Sequence, residues 1–301
     1  MFKNGDVICF LGDSITANGL WMAEVYQGIR RNCSVKCYNC GVSGITATKT
    51  AASVQERCLS FKPDYVVMMF GINDVNIELY KKELLGDKET EEKKRAAILA
   101  YKNSYEGLIK EAIASGAKVI LCTSTPYDDQ NDKEGEALGC MVGLYECIAC
   151  LRTLAEKYGC KLVDFMSVMQ PMLTKADILS ADRVHPTPEG HHVMAQIFLK
   201  EIGLQAECDF DTPFVFEDWN LDRYNAEREL NLVNFVEFCA FYKEKYVEEA
   251  DLEKRKEIAK ERYDSYEDKT GFFPKAYSEY IKKIDRYDLY MKEIIERTDY
   301  V

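Results

Sequence analysis

The first two thirds of the chain alternate between two kinds of pattern. Short apolar runs that read as strands occur at "DVICFLG" (6–12), "VKCYNCGV" (35–42), "DYVVMMFG" (64–71), "KVILCTS" (118–124) and "KLVDFM" (161–166). Near-continuous apolar character, rather than strict alternation, marks strands covered on both faces. Stretches with helical signals lie between them, near 20–31, 49–60, 91–115 and 139–158, and a last one at 189–202 follows the fifth strand. This alternation predicts an α/β architecture: a five-stranded parallel sheet with right-handed crossovers and helices on both faces. Ligands of such sheets bind outside the carboxyl ends of the strands.

Residues 205–301 follow another pattern. They hold ten of the nineteen tyrosines. Their 16 Lys and Arg against 25 Asp and Glu carry −9 of the net −12. Tyr277, Tyr280, Ile281, Ile284, Tyr287, Met291, Ile294 and Ile295 recur at helical spacing on one face. The expected organisation is an α/β catalytic domain over 1–204 and an aromatic-rich helical C-terminal extension over 205–301. The apolar stripe has to cover something: the α/β domain, the mouth of a site, or a second copy of the chain in a homo-oligomer.

Composition narrows the function. A chain of 301 residues with 47% hydrophobic content can bury a large core. No apolar stretch approaches the roughly 20 residues that span a bilayer, so no membrane insertion is expected. The opening "MFKNGDVICFLGD" reads as a first strand rather than an export signal. A net charge of −12 disfavours nucleic acid, whose phosphates call for Lys and Arg, and disfavours anionic membranes. Neutral substrates suit it best. Twelve cysteines without an export signal fit a reducing, cytoplasmic setting. Cys37-x-x-Cys40 and Cys147-x-x-Cys150 have the spacing of zinc ligands. The first pair, however, lies in a strand, where positions i and i+3 face opposite ways. Buried thiols acting as small hydrophobes are the better reading, and no metal or cofactor is expected.

The polar clusters fall on one rim of the predicted sheet. Strand one ends at "GDS", strand two at "NCGVSG", strand three at "GIND" and strand four at "TSTP", while "DRVHP" follows the fifth strand. Gly-Asp-Ser is ordinary turn and capping chemistry, but Ser14 in that position is also a candidate nucleophile. The three histidines all lie in "HPTPEGHH". His191 and His192 open the last helix and read as surface or packing residues. Asp182 precedes His185 by three residues, close enough in a tight turn to fix its tautomer and leave Nε2 to act as base toward Ser14. That is the logic of a Ser-His-Asp triad. The Ser14 N–H, the Gly44 N–H and the Asn73 side-chain amide are candidate oxyanion donors.

"FLGDSIT", "NCGVSGIT", "GIND" and "DRVHP" together resemble the four signature blocks of the SGNH (GDSL) hydrolase superfamily, in the family's order over residues 10–186. The resemblance implies a flavodoxin-like three-layer fold and metal-free, two-step ester hydrolysis. It assigns the nucleophile to Ser14, the acid to Asp182, the base to His185, and the oxyanion hole to Ser14, Gly44 and Asn73. It does not extend to residues 205–301. The expected activity is hydrolysis of short-acyl or acetyl esters of carbohydrates or other small neutral molecules. A lysophospholipase or thioesterase is the rival within the class, and a non-catalytic binding or assembly protein the rival outside it. The loop 127–139, at the rim of strand four, is a candidate to shape the substrate pocket, a point the sequence leaves open.

Overall fold

The structure is a computed structural model and describes residues 1–129 and 137–204. The tyrosine stripe, with the whole of 205–301, and most of the loop 127–139 lie outside the described residues. Five strands form one parallel sheet: β1 (Val7–Gly12), β2 (Lys36–Asn39), β3 (Tyr65–Met69), β4 (Lys118–Cys122) and β5 (Lys161–Val163). Their order is β2-β1-β3-β4-β5. The chain thus builds outward in one direction from β1, then returns past it and builds the other way. The point of reversal lies between β1 and β3, where open α/β sheets form their ligand crevice.

Among the described residues eight α-helices accompany the sheet: α1 (Ser14–Asn18), α2 (Leu20–Arg30), α3 (Ala47–Ala51), α4 (Val54–Arg57), α5 (Lys88–Ala114), α6 (Cys140–Tyr158), α7 (Phe165–Met169) and α8 (Pro188–Glu201). One face of the sheet packs on α2, α7 and α8, the other on α3 to α6. Ile8 and Phe10 point to the first face and Cys9 and Leu11 to the second, and all four are buried. This is the physical reason for the unbroken apolar run in β1. On the first face Trp21 meets Phe10 and Phe165 edge-on, with ring centroids 5.4 and 5.6 Å apart. Such a cluster ties β1, α2 and α7 together.

Two elements depart from expectation. The stretch 49–60 is not one helix but two short ones and a 3-10 turn, because Thr46 caps α3 by accepting from Lys49 N and the chain breaks again at Ser53. The fifth strand stops at Val163, because Asp164 accepts a hydrogen bond from Ser167 N and starts α7. The cysteines divide as their spacing implied. Cys37 lies in the core of one face and Cys40 in that of the other. The Sγ atoms of Cys9, Cys40 and Cys58 lie within 4.8 Å of one another in the second core. Burial pushes the Cys9 thiol well up, and its S–H donates to the Cys58 carbonyl at 3.7 Å.

Candidate active site

β1 runs directly into α1, so Ser14 sits at the carboxyl edge of the sheet on the first turn of a helix. Asp13 caps that helix, accepting from Ile15 N at 3.0 Å. Gly12 is required by space rather than by turn geometry. A Cβ there would come within 2.7 Å of the Met69 carbonyl and 2.2 Å of Thr16 Oγ1. The absence of a side chain therefore lets β1 and α1 close on the end of β3.

His185 comes from the far end of the described chain. Its Nε2 lies 2.8 Å from Ser14 Oγ, across 171 residues of sequence. Its Nδ1 lies 2.6 Å from Asp182 Oδ2. The other carboxylate oxygen, Asp182 Oδ1, accepts from Ser180 Oγ at 2.5 Å, from Val184 N at 3.0 Å and from His185 N at 2.9 Å. Partial burial works against the charge, but the bonds from His185, Ser180 and the backbone outweigh it and hold the carboxyl well below the usual carboxylate range. These bonds therefore favour the ionised form of Asp182. The turn is closed by Ser180 N donating to the His185 carbonyl at 2.8 Å and by a bridge between Leu179 and Pro186. Of the other two histidines, His191 is buried, and His192 Nδ1 lies 2.8 Å from Glu24 Oε2, linking α8 to α2.

Asn73 and Gly44 lie on the loops after β3 and β2. Gly44 is exposed and has φ +71°, a left-handed conformation that glycine adopts without a steric penalty. The two loops are stitched together. Asn73 Nδ2 donates to the Ile45 carbonyl at 3.1 Å, which occupies one of its two amide hydrogens. Asp74 Oδ1 accepts from Ala47 N at 2.9 Å. Asp74 was not singled out from the sequence. Its only local signal is its place beside Asn73, and the bond it makes spans 27 residues.

Asp13 and Asp74 are both buried and neighbour one another electrostatically. Burial pushes Asp13 up to about 6, against the hydrogen bond from Ile15 and the nearby His185. Burial pushes Asp74 up to about 7, against the bond from Ala47 N. In the unfolded chain both titrate near 3.9. The folded state therefore binds these protons more tightly, and the two acids cost most stability once pH has risen through about 4 to 7. Asp74→Asn keeps an acceptor for Ala47 N and removes the charge. The variant's melting temperature relative to the parent should therefore climb in the variant's favour between pH 4.5 and pH 8. Thermal melts across that range check this, and a difference that stays constant with pH contradicts it.

Residues 10–193 match the model of the GDSL-like lipase/acylhydrolase family. An acetylxylan esterase of Geobacillus stearothermophilus is 25% identical over 226 residues, which cover 67% of this chain and 96% of that protein. An acetylxylan esterase of Xylanibacter ruminicola is 31% identical over 152 residues, covering 48% of this chain and 29% of that larger protein. A crystal structure of an acetylxylan esterase from Geobacillus stearothermophilus superposes with a TM-score of 0.56 at 24% identity, over 67% of this chain and 96% of that one, and shares the fold.

Proposed function

Because the chain belongs to the GDSL-like lipase/acylhydrolase family and is a carboxylic ester hydrolase, we propose that it removes short acyl groups, acetyl foremost, from the hydroxyls of carbohydrates or other small neutral molecules. The observation that supports this reading most is the unbroken run of hydrogen bonds from Ser14 Oγ through His185 to an ionised Asp182. The similarity along most of a short acetylxylan esterase supports the acetyl and carbohydrate part. The net charge of −12 also fits a neutral substrate and an anionic product that has to leave.

In this reading Ser14 is the nucleophile. His185 Nε2 takes the Ser14 proton as Oγ attacks the ester carbonyl. Asp182 holds the proton-bearing Nδ1 and stabilises the imidazolium that forms. The oxyanion accepts from the Ser14 N–H, which has no acceptor within its own helix. It also accepts from the Gly44 N–H and from the second amide hydrogen of Asn73. The alcohol leaves with the proton from His185. Water, deprotonated by the same nitrogen, then releases the acid and restores Ser14. Residues 1–204 supply every group named here, and residues 205–301 supply none.

Chain-length selectivity tests the substrate assignment. A methylene that a closed pocket cannot accept costs about 1–3 kcal/mol in the transition state. p-Nitrophenyl acetate should therefore react with a kcat/KM at least about tenfold above that of the octanoate, and acetylated xylo-oligosaccharides should release acetate. A ratio near one, or a preference for octanoate, points instead to a long-acyl substrate of the lysophospholipase or thioesterase kind.

A further inference from the structure

The turn that carries Asp182 and His185 contains an arginine in an unfavourable conformation. Arg183 has φ +65°, in the left-handed region that glycine enters freely and a long side chain seldom does. Such a residue persists only where its surroundings hold it. Contacts from the segment just after β4 help to hold it. Asp128 N donates to the Arg183 carbonyl at 3.0 Å. Arg183 Nε donates to the Tyr127 hydroxyl at 3.0 Å, and the guanidinium lies 6.0 Å from the centroid of the same ring. Tyr127 is only 2% exposed, and its own N–H points at Met141 Sδ on α6, 3.3 Å away. A buried, anchored tyrosine thus meets the strained residue between the two partners of the triad-like chain.

We propose that the Tyr127 hydroxyl and the Arg183 side chain form a clasp that positions His185, and that both are positioning residues for the ester hydrolysis. The proposal rests on the reading of His185 as the base. With Arg183 left-handed, the backbone reverses within one residue, so Asp182 Oδ1 accepts from His185 N while Oδ2 reaches the ring. If the clasp opens, Arg183 keeps the bond from Asp128 N to its carbonyl but loses this anchor on its side chain, so the strained conformation is held less firmly against relaxing toward the right-handed or extended region. The turn then unwinds, and His185 drifts from Ser14 although every reacting group is still present. A displacement of about 1 Å in a catalytic group costs up to about 10²-fold in rate. A partial displacement should cost less.

A double-mutant cycle on the full chain tests this. Tyr127→Phe removes only the hydroxyl and keeps the buried ring. Arg183→Ala removes the other half. Each single variant should lower kcat by about tenfold and change KM less than twofold, because His185 acts on the transition state rather than on substrate affinity. The double variant should be no worse than the poorer single one, because either change alone opens the clasp. Arg183→Lys, which keeps the charge but lacks Nε, should resemble Arg183→Ala. Melting temperatures identify any variant that fails to fold, and Tyr127→Phe, which alters no packing volume, decides the matter if Arg183→Ala does. A kcat within twofold of the parent in folded Tyr127→Phe, a loss confined to KM, or losses that multiply in the double variant would overturn the clasp. Full activity in a folded His185→Ala variant would overturn the reading beneath it, which separates the two failures.

Discussion

Replacement of Ser14 by alanine should lower ester hydrolysis by at least about 10³-fold and leave the fold intact. In the proposed mechanism the Ser14 hydroxyl forms the acyl-enzyme, and it lies 2.8 Å from the His185 nitrogen that would take its proton. Nothing in the packing depends on it. Ser14 is the first residue of α1, where alanine is at least as good a helix former, and Asp13 continues to cap the helix. Residual catalysis should survive, since the proposed oxyanion donors, Gly44, Asn73 and the backbone N–H, are untouched by the substitution. The measurement is kcat/KM on p-nitrophenyl acetate with a thermal melt alongside. Turnover near that of the parent in a folded variant would remove Ser14 from the mechanism.

Asp182→Asn should cost about 10⁴-fold in kcat, more than its small change in size suggests. Asparagine is nearly the same shape, and its oxygen can go on accepting from Val184 N and His185 N, so the turn should hold. Its amide nitrogen then faces His185 Nδ1, where the carboxylate oxygen now lies at 2.6 Å. An amide N–H donates, so the imidazole has to present Nδ1 as an acceptor and carry its proton on Nε2. Nε2 then donates toward Ser14 and cannot take its proton. The imidazolium of the transition state also loses its counter-charge. The expected signature is a collapse of kcat with little change in KM and little change in melting temperature. A loss seen mainly in KM, or accompanied by unfolding, would make Asp182 a residue of the turn rather than of the chemistry.

Both predictions use residues that were legible in the sequence, because each stands in a local pattern. An apolar run ending in Gly-Asp-Ser marks a strand that stops at a serine. Asp and His three residues apart, followed by Pro186 and Pro188, mark a tight turn. Other features were illegible for equally local reasons. Asp74 looks like half of a turn until Ala47 N is seen to donate to it. Nothing in the sequence pairs Tyr127, in the loop after strand four, with Arg183, in "DRVHP", because their contact spans 56 residues. Gly12 reads as turn chemistry, yet its φ is not left-handed, and its real constraint is the Met69 carbonyl on the neighbouring strand.

The division has a physical cause. Which residues form strands and helices, and which turn residues stand at the strand ends, follows from periodicity and capping within a dozen residues, and the sequence alone determined these. The right-handed crossover rule also carried the strands into one parallel sheet and brought their polar ends to one rim. Which atoms then meet across that rim depends on side-chain directions summed over long separations, where an error of one residue turns a side chain to the other face. The 2.8 Å approach of His185 to Ser14 over 171 residues, the burial that pushes Asp74 up to about 7, and the docking of Arg183 on a buried tyrosine are all of this kind. They were decided only when the sheet closed and the loops packed on one another.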